Sequence, residues 1–179
     1  MGWIEPWGEY IPCILDPEVT GGDVNSILSI YSLSKQSNLA GYRAAFAAGD
    51  EQLIHGLVNL RMHSGMMVPM PVQKAMVAAL SDDEHVQKQK KIYRQRRAIL
   101  KPALEKAGFQ IVDSEAGLYL WATKHEDCWK TIETLAKIGV IAVPGEFYGA
   151  AGQNFVRFSI TATDQEIIEA AKRLENALG

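Results

Sequence analysis

The stretch Ser32-Leu33-Ser34-Lys35-Gln36-Ser37-Asn38-Leu39-Ala40-Gly41-Tyr42-Arg43, running on through Ala44 to Gly49-Asp50, places one amine, several hydroxyls and a guanidinium between two apolar runs. Upstream, Ser26 to Leu33 (SILSIYSL) is short, rich in Ile and Leu and bounded by polar residues, which predicts a buried strand. Lys35 then falls just past a strand end. Downstream, Tyr42 to Ala48 predicts a second strand closed by Gly49-Asp50, with Asp50 capping a helix that carries Leu53, Ile54, Leu57, Val58 and Leu60.

An amine at the end of a buried strand, with Arg43 close by, is disfavoured as a cation by desolvation and by like charge, and is left free to attack an aldehyde. Ser32 and Ser34 offer neutral donors and Arg43 a charged fork, a set suited to phosphate, while Gly41 lets the backbone turn between amine and guanidinium. Aldehyde and phosphate together describe pyridoxal 5'-phosphate. An arbitrary S-x-x-K tetrapeptide is usually a solvated loop. The same tetrapeptide opens a helix in serine acylases of the β-lactamase type, but their S-D-N and K-T-G elements have only Ser81-Asp82-Asp83 and Lys130-Thr131-Ile132 as counterparts here.

Working outward, the first stretch to Gly21-Gly22-Asp23 holds Pro6, Pro12 and Pro17 without a helical or strand period, and reads as a loop. From Pro71, the spacing of Val72, Ala75, Met76, Ala79 and Leu80 predicts a helix. Ser81 and Glu84 match a capping box for the next one, a charged helix from His85 to Ala107 that Pro102 should bend or restart. Strands follow at Phe109 to Val112 and Leu118 to Ala122, then a helix around Trp129, Ile132 and Leu135. Further strands at Val140 to Val143 and Phe155 to Ile160 precede a final helix boxed by Thr163 and Glu166. This predicts an α/β chain in two pieces, residues 1–83 and a compact α+β unit over 84–179. Within the last strand, Asn154-Phe155-Val156-Arg157-Phe158-Ser159 sets an arginine among apolar residues, where it calls for an anion.

Composition narrows the partners. A formal charge of -3 from interspersed acids and bases gives no basic face for nucleic acid, and no apolar run approaches the ~20 residues that span a bilayer. Cys13 and Cys128 are far apart, and His55, His63, His85 and His125 are scattered, so neither a disulfide framework nor a metal site is expected. The N-terminal Met1-Gly2-Trp3-Ile4-Glu5-Pro6 lacks the basic start and apolar run of a signal peptide, and a cytoplasmic location is expected. The cluster Met62, Met66, Met67 and Met70 reads as packing or an oligomer contact.

The run SLSKQSNLAGYRAAFAAGD resembles the S-x-x-K, G-x-R signature of class I and II, fold-type I aminotransferases, and the whole chain is similar to their C-terminal part. The resemblance implies that Lys35 forms the Schiff base with pyridoxal phosphate and carries the proton, that Ser32, Ser34 and Arg43 contact the phosphate, and that Arg157 clamps the substrate α-carboxylate. By it, residues 1–83 are the end of the large cofactor domain and 84–179 the small domain, and a homodimer is expected. Val143-Pro144-Gly145-Glu146-Phe147-Tyr148-Gly149 resembles the family's P-G-x-x-F-G turn and Glu115-Ala116-Gly117-Leu118-Tyr119-Leu120-Trp121 its small-domain strand, with no chemistry assigned to either.

The runs SGMMVPMPVQKAMVAAL and EAGLYLWAT look closest to succinyldiaminopimelate aminotransferases, which implies amino exchange between glutamate and N-succinyl-2-amino-6-ketopimelate in lysine and diaminopimelate biosynthesis. The family's acid on the pyridine nitrogen and its tyrosine on the ring oxygen lie further upstream than Met1, and Glu5, Glu9, Tyr10 and Asp16 do not match their spacing. The alternative is therefore a non-catalytic fragment or interaction module that keeps the small domain and the lysine.

Overall fold

The computed structural model describes residues 12–178. They divide into two compact units, 12–88 and 89–178. The segment expected to be a loop contains a single helical turn, α1 (Pro17–Thr20), because Asp16 accepts from the Glu18 N–H at 3.0 Å and Pro17 supplies a preset helical φ. The rest of that expected loop, residues 1–11, lies outside the described residues.

The first unit is organised by a two-stranded antiparallel sheet. β1 (Leu28–Ser32) pairs with β2 (Ala45–Gly49), Leu28 opposite Gly49 and Ser32 opposite Ala45. Between them, α2 (Leu33–Gln36) and a 3-10 turn over Ala40–Tyr42 reverse the chain. The left-handed residues of this reversal are Asn38, with φ of 53°, and Arg43, with φ of 50°, rather than Gly41. Tyr42 consequently belongs to the turn, and the second strand starts three residues later than expected. β1 is also less buried than its composition predicts: Ile30 is 71% exposed, since a two-stranded sheet leaves one face of each strand to be covered by other elements. The small core comprises Leu33, Ala44 and Met76, with Tyr31, Leu39 and Val72 packed against it.

Asp50 holds the ends of this hairpin. One carboxylate oxygen accepts from the N–H groups of Gln52 at 2.7 Å and Leu53 at 3.1 Å, capping α3 (Glu51–His63), and the other accepts from the Ser26 N–H at 2.7 Å. The adjacent Gly49, at φ of 144°, leaves no room for a side chain, because a Cβ there would lie 2.1 Å from the Ile27 carbonyl oxygen. α4 (Met70–Leu80) follows, and then α5 (Glu84–Lys106), which continues through Pro102. The Ser81–Glu84 box does not form. Ser81 closes α4 by donating its hydroxyl to the Val77 carbonyl at 2.8 Å, and Asp82 accepts from the Glu84 N–H at 2.9 Å instead.

The second unit is a four-stranded antiparallel sheet in the order β3 (Gln110–Val112), β4 (Tyr119–Thr123), β6 (Val156–Ser159), β5 (Val143–Pro144). One face carries Leu120, Ala122, Val156 and Phe158 into a core shared with Leu100 and Leu104 of α5, Leu135 of α6 (Cys128–Lys137), and Ile167 and Leu174 of α7 (Asp164–Leu178). Phe109 meets Phe158 edge to face at 5.5 Å between centroids. The expected strand over Val140 to Val143 shrinks to its last residue plus Pro144. The Val140 N–H is taken by the Leu135 carbonyl at 2.9 Å, closing α6 through Gly139 at φ of 69°, so it is not free for a ladder. The Thr163–Glu166 box forms as expected, with the Glu166 carboxylate accepting from the Thr163 N–H at 2.8 Å and the Thr163 hydroxyl accepting from the Glu166 N–H at 3.3 Å.

The backbone donors of Ser26, then Leu53 and Gln52, hold the Asp50 carboxyl below its ordinary range. A depressed folded-state pKa contributes stability that is present above the unfolded value and lost as pH falls through the folded one. Hydrogen exchange at the Ser26 and Gln52 amides should therefore accelerate, relative to the ordinary pH trend, as the solution is acidified below about pH 4. Asp50→Ala should show fast exchange at both amides already at neutral pH.

Candidate active site

Ser32 ends β1 and caps α2, its hydroxyl oxygen accepting from the Ser34 N–H at 3.2 Å while its O–H donates to the Ser34 hydroxyl at 2.9 Å. Lys35 is the next residue of the same helical turn. The tetrapeptide thus both follows a strand and opens a short helix, so the strand-versus-helix contrast with the serine acylases does not by itself separate the two chemistries. Lys35 is exposed, and the described residues do not supply the burial that the strand pattern predicts for it. Arg43, also exposed, turns back along its own loop and donates to the Ala40 carbonyl at 3.1 Å. His85 Nε2 lies 3.0 Å from the Ser37 hydroxyl, fastening the far end of the lysine turn.

In the second unit the strand period decides where Arg157 goes. Val156 and Phe158 point into the core, and Arg157 consequently lies on the opposite face of β6, half-buried, directly across from Trp121 of β4. Its guanidinium carbon lies 4.0 Å from the centre of the Tyr119 ring and 5.1 Å from that of Tyr148. Its Nε is buried without a hydrogen-bond partner, and no carboxylate within ion-pair distance of it is found among the described residues. A cavity of about 410 Å³ opens on this face, lined by Asp113, Ser114, Gly117, Trp121, Tyr148 and Arg157 among others.

Tyr148 belongs to a 3-10 turn over Gly145–Tyr148 that is fixed at several points. The Gly145 N–H donates to the Phe155 carbonyl at 2.8 Å, and Trp129 Nε1 donates to the Glu146 carboxylate at 2.5 Å. Trp121 stacks on Phe155 with centroids 5.3 Å apart and meets Tyr148 edge-on at 5.8 Å. The motifs holding Tyr119, Trp121 and Tyr148 are recognisable in the sequence, but their role beside Arg157 is not. The signal that could have revealed it is the alternation in Leu118-Tyr119-Leu120-Trp121-Ala122, which puts both aromatics on the face away from the core.

The Lys35 turn thus presents an exposed amine next to the Ser34 hydroxyl, and Arg157 presents a guanidinium outside ion-pair distance of every described carboxylate, Asp113 of the same cavity included. Residues 13–174 match the family model "Aminotransferase class I and II", and the chain belongs to that family, whose members depend on pyridoxal phosphate.

The chain is 51% identical over 168 residues to 4-dedimethylamino-4-oxo-anhydrotetracycline transaminase OxyQ of Streptomyces rimosus, covering 94% of this chain and 47% of that protein. It is 33% identical to the LL-diaminopimelate aminotransferase of Aquifex aeolicus, over 83% of this chain and 40% of the relative. Its fold is that of a fold-type I aminotransferase, matching the structure of a probable N-succinyldiaminopimelate aminotransferase from Thermus thermophilus with a TM-score of 0.80 at 29% identity, over 97% of this chain and 47% of the other. The chain thus spans less than half the length of these relatives. No described helix is long and apolar enough to cross a membrane.

The turn that carries Tyr148 has no space for added atoms at its base. A Cβ on Gly145 would lie 2.3 Å from the Gly152 carbonyl oxygen and 2.7 Å from that of Phe155. Gly145→Ala should destabilise the second unit by about 1–3 kcal/mol, read as a lower urea midpoint for its tryptophan fluorescence. Gly56→Ala, on α3 with open space around it, should leave that midpoint unmoved and stabilise its own helix by about 0.5–1 kcal/mol.

Proposed function

We propose that this chain supplies the Lys35-bearing part of a pyridoxal-phosphate-dependent aminotransferase that moves an amino group between glutamate and a keto acid. The observation that carries the reading is the turn at the end of β1, where the Ser32 and Ser34 hydroxyls stand 2.9 Å apart and Lys35 follows immediately. These residues fit the phosphate and aldehyde end of the cofactor. Ser32, Ser34 and Arg43 would hold the phosphate, Arg43 after exchanging its bond to the Ala40 carbonyl for a charge-assisted one. Lys35 would hold the cofactor covalently and move a proton at its Nζ. When bound, pyridoxal phosphate supplies the electron sink that makes the substrate α-carbon acidic.

Arg157 would bind the substrate α-carboxylate through its two terminal nitrogens, which fixes the orientation of the amino acid. In this reading residues 1–83 are the end of the cofactor domain and 84–179 the small domain. The exposed Met62, Met66, Met67 and Met70 support the expectation of a homodimer.

The candidate acceptor is N-succinyl-2-amino-6-ketopimelate, as the sequence runs imply, and the likeness to the Thermus thermophilus structure supports it. The higher identity to OxyQ favours a second reading, in which the acceptor is the oxo group of an anhydrotetracycline. Comparing the two acceptors at equal concentration decides between them.

Sodium borohydride treatment in the presence of pyridoxal phosphate should fix the cofactor on the peptide carrying Lys35, seen by mass spectrometry, and Lys35→Ala should abolish it. Fixation scattered over surface lysines, or none, would favour the non-catalytic interaction module. Arg157→Lys keeps the charge but loses the fork, and should raise the half-saturating keto-acid concentration by about 10- to 100-fold.

A further inference from the structure

Arg157 stands in an unusual setting for a half-buried cation. A guanidinium side chain has much rotamer entropy to lose, and an ion pair with an internal acid commonly restrains it. Here no described carboxylate does so, and Nε is buried without a partner. The groups against the guanidinium are two rings, Tyr119 at 4.0 Å and Tyr148 at 5.1 Å, both measured from the guanidinium carbon to the ring centre, while Asp113 lines the same cavity outside ion-pair distance.

We propose that Tyr119 and Tyr148 are positioning residues that hold Arg157 through their ring faces, orienting its fork toward a carboxylate without neutralising it. The inference rests on the reading of Arg157 as the carboxylate-binding residue. A ring face attracts a cation through its quadrupole while carrying no net charge and accepting no conventional hydrogen bond. An internal acid would restrain the arginine equally well but would occupy its donors and offset its charge, so that an incoming carboxylate would have to displace it.

The two rings are held independently. Tyr119 is the diagonal neighbour of Arg157 across the β4–β6 ladder, where long and aromatic side chains reach one another. Tyr148 comes from the turn anchored by the Gly145–Phe155 and Trp129–Glu146 hydrogen bonds, and its ring rests against the edge-on Trp121. Tyr148 is 55% exposed, so replacing it leaves the core of the unit untouched.

The test uses the full chain labelled with nitrogen-15 arginine. The Arg157 Nε–H resonance is assigned by its loss in Arg157→Lys, its exchange with solvent is measured, and propionate is titrated as a carboxylate probe. The wild type should show a slowly exchanging Nε–H that shifts on saturation with propionate. Tyr148→Leu and Tyr119→Leu should each speed that exchange and raise the half-saturating propionate concentration on the order of 2- to 30-fold, whereas Tyr148→Phe and Tyr119→Phe, which keep the ring, should match the wild type.

Leucine variants that retain both wild-type exchange and wild-type affinity would overturn the proposal. So would phenylalanine variants that lose as much as the leucine ones, because the hydroxyl rather than the ring face would then be responsible. A wild-type resonance that propionate does not move would remove the carboxylate reading of Arg157 alone, and the exchange rates would still decide whether the rings hold it.

Discussion

The second unit depends on the two-residue period of β4 and β6. Because successive side chains leave a strand on opposite faces, Leu120, Ala122, Val156 and Phe158 enter one core while Tyr119, Trp121 and Arg157 are delivered together to the other face. A one-residue slip in the pairing would bury the guanidinium among leucines and expose Phe158. The same alternation therefore stabilises the sheet and sets the chemistry of its open side. It allows an arginine to sit within an apolar strand without an acid to neutralise it.

The first unit meets a different constraint, that of fastening a short hairpin whose central residues are chemically useful. Asp50 joins the start of β1 to the start of α3 through both carboxylate oxygens, and Ser32 spends its hydroxyl on capping the turn that carries Lys35. In the proposed reading Ser32 and Ser34 would be structural and chemical at once. The hydroxyl network that shapes the lysine turn is the same one that would meet a phosphate, so cofactor binding and local folding are expected to reinforce each other.

Much of this was legible in the sequence, and the parts that were not share a cause. Helices α3 and α7 follow from apolar spacing plus a local cap, as Asp50 and the Thr163–Glu166 pair illustrate, and α4 and strand β6 from apolar spacing without a side-chain cap. The expectations that failed turned on competition for backbone groups at element ends. Ser81 closed one helix instead of opening the next, the Val140 N–H went to α6 instead of a ladder, and Asn38 and Arg43, not Gly41, took the left-handed conformations of the turn. Composition could not show that Ile30 and Lys35 would be exposed, because burial depends on what packs over a strand and not on the strand itself. For the candidate site, motif order was enough to name Lys35, Arg43 and Arg157 as candidates. The ring faces beside Arg157 emerged only when the register of β4 against β6 was known.

The central claim, that Lys35 is the residue through which this chain engages pyridoxal phosphate for amino transfer, is tested most directly by an absorbance spectrum. Pyridoxal phosphate added to the purified chain should produce a protein-dependent band near the visible edge that glutamate bleaches, and Lys35→Ala should show neither the band nor the bleaching. A band of equal strength in Lys35→Ala, or a wild-type band that glutamate leaves unchanged, would contradict the account.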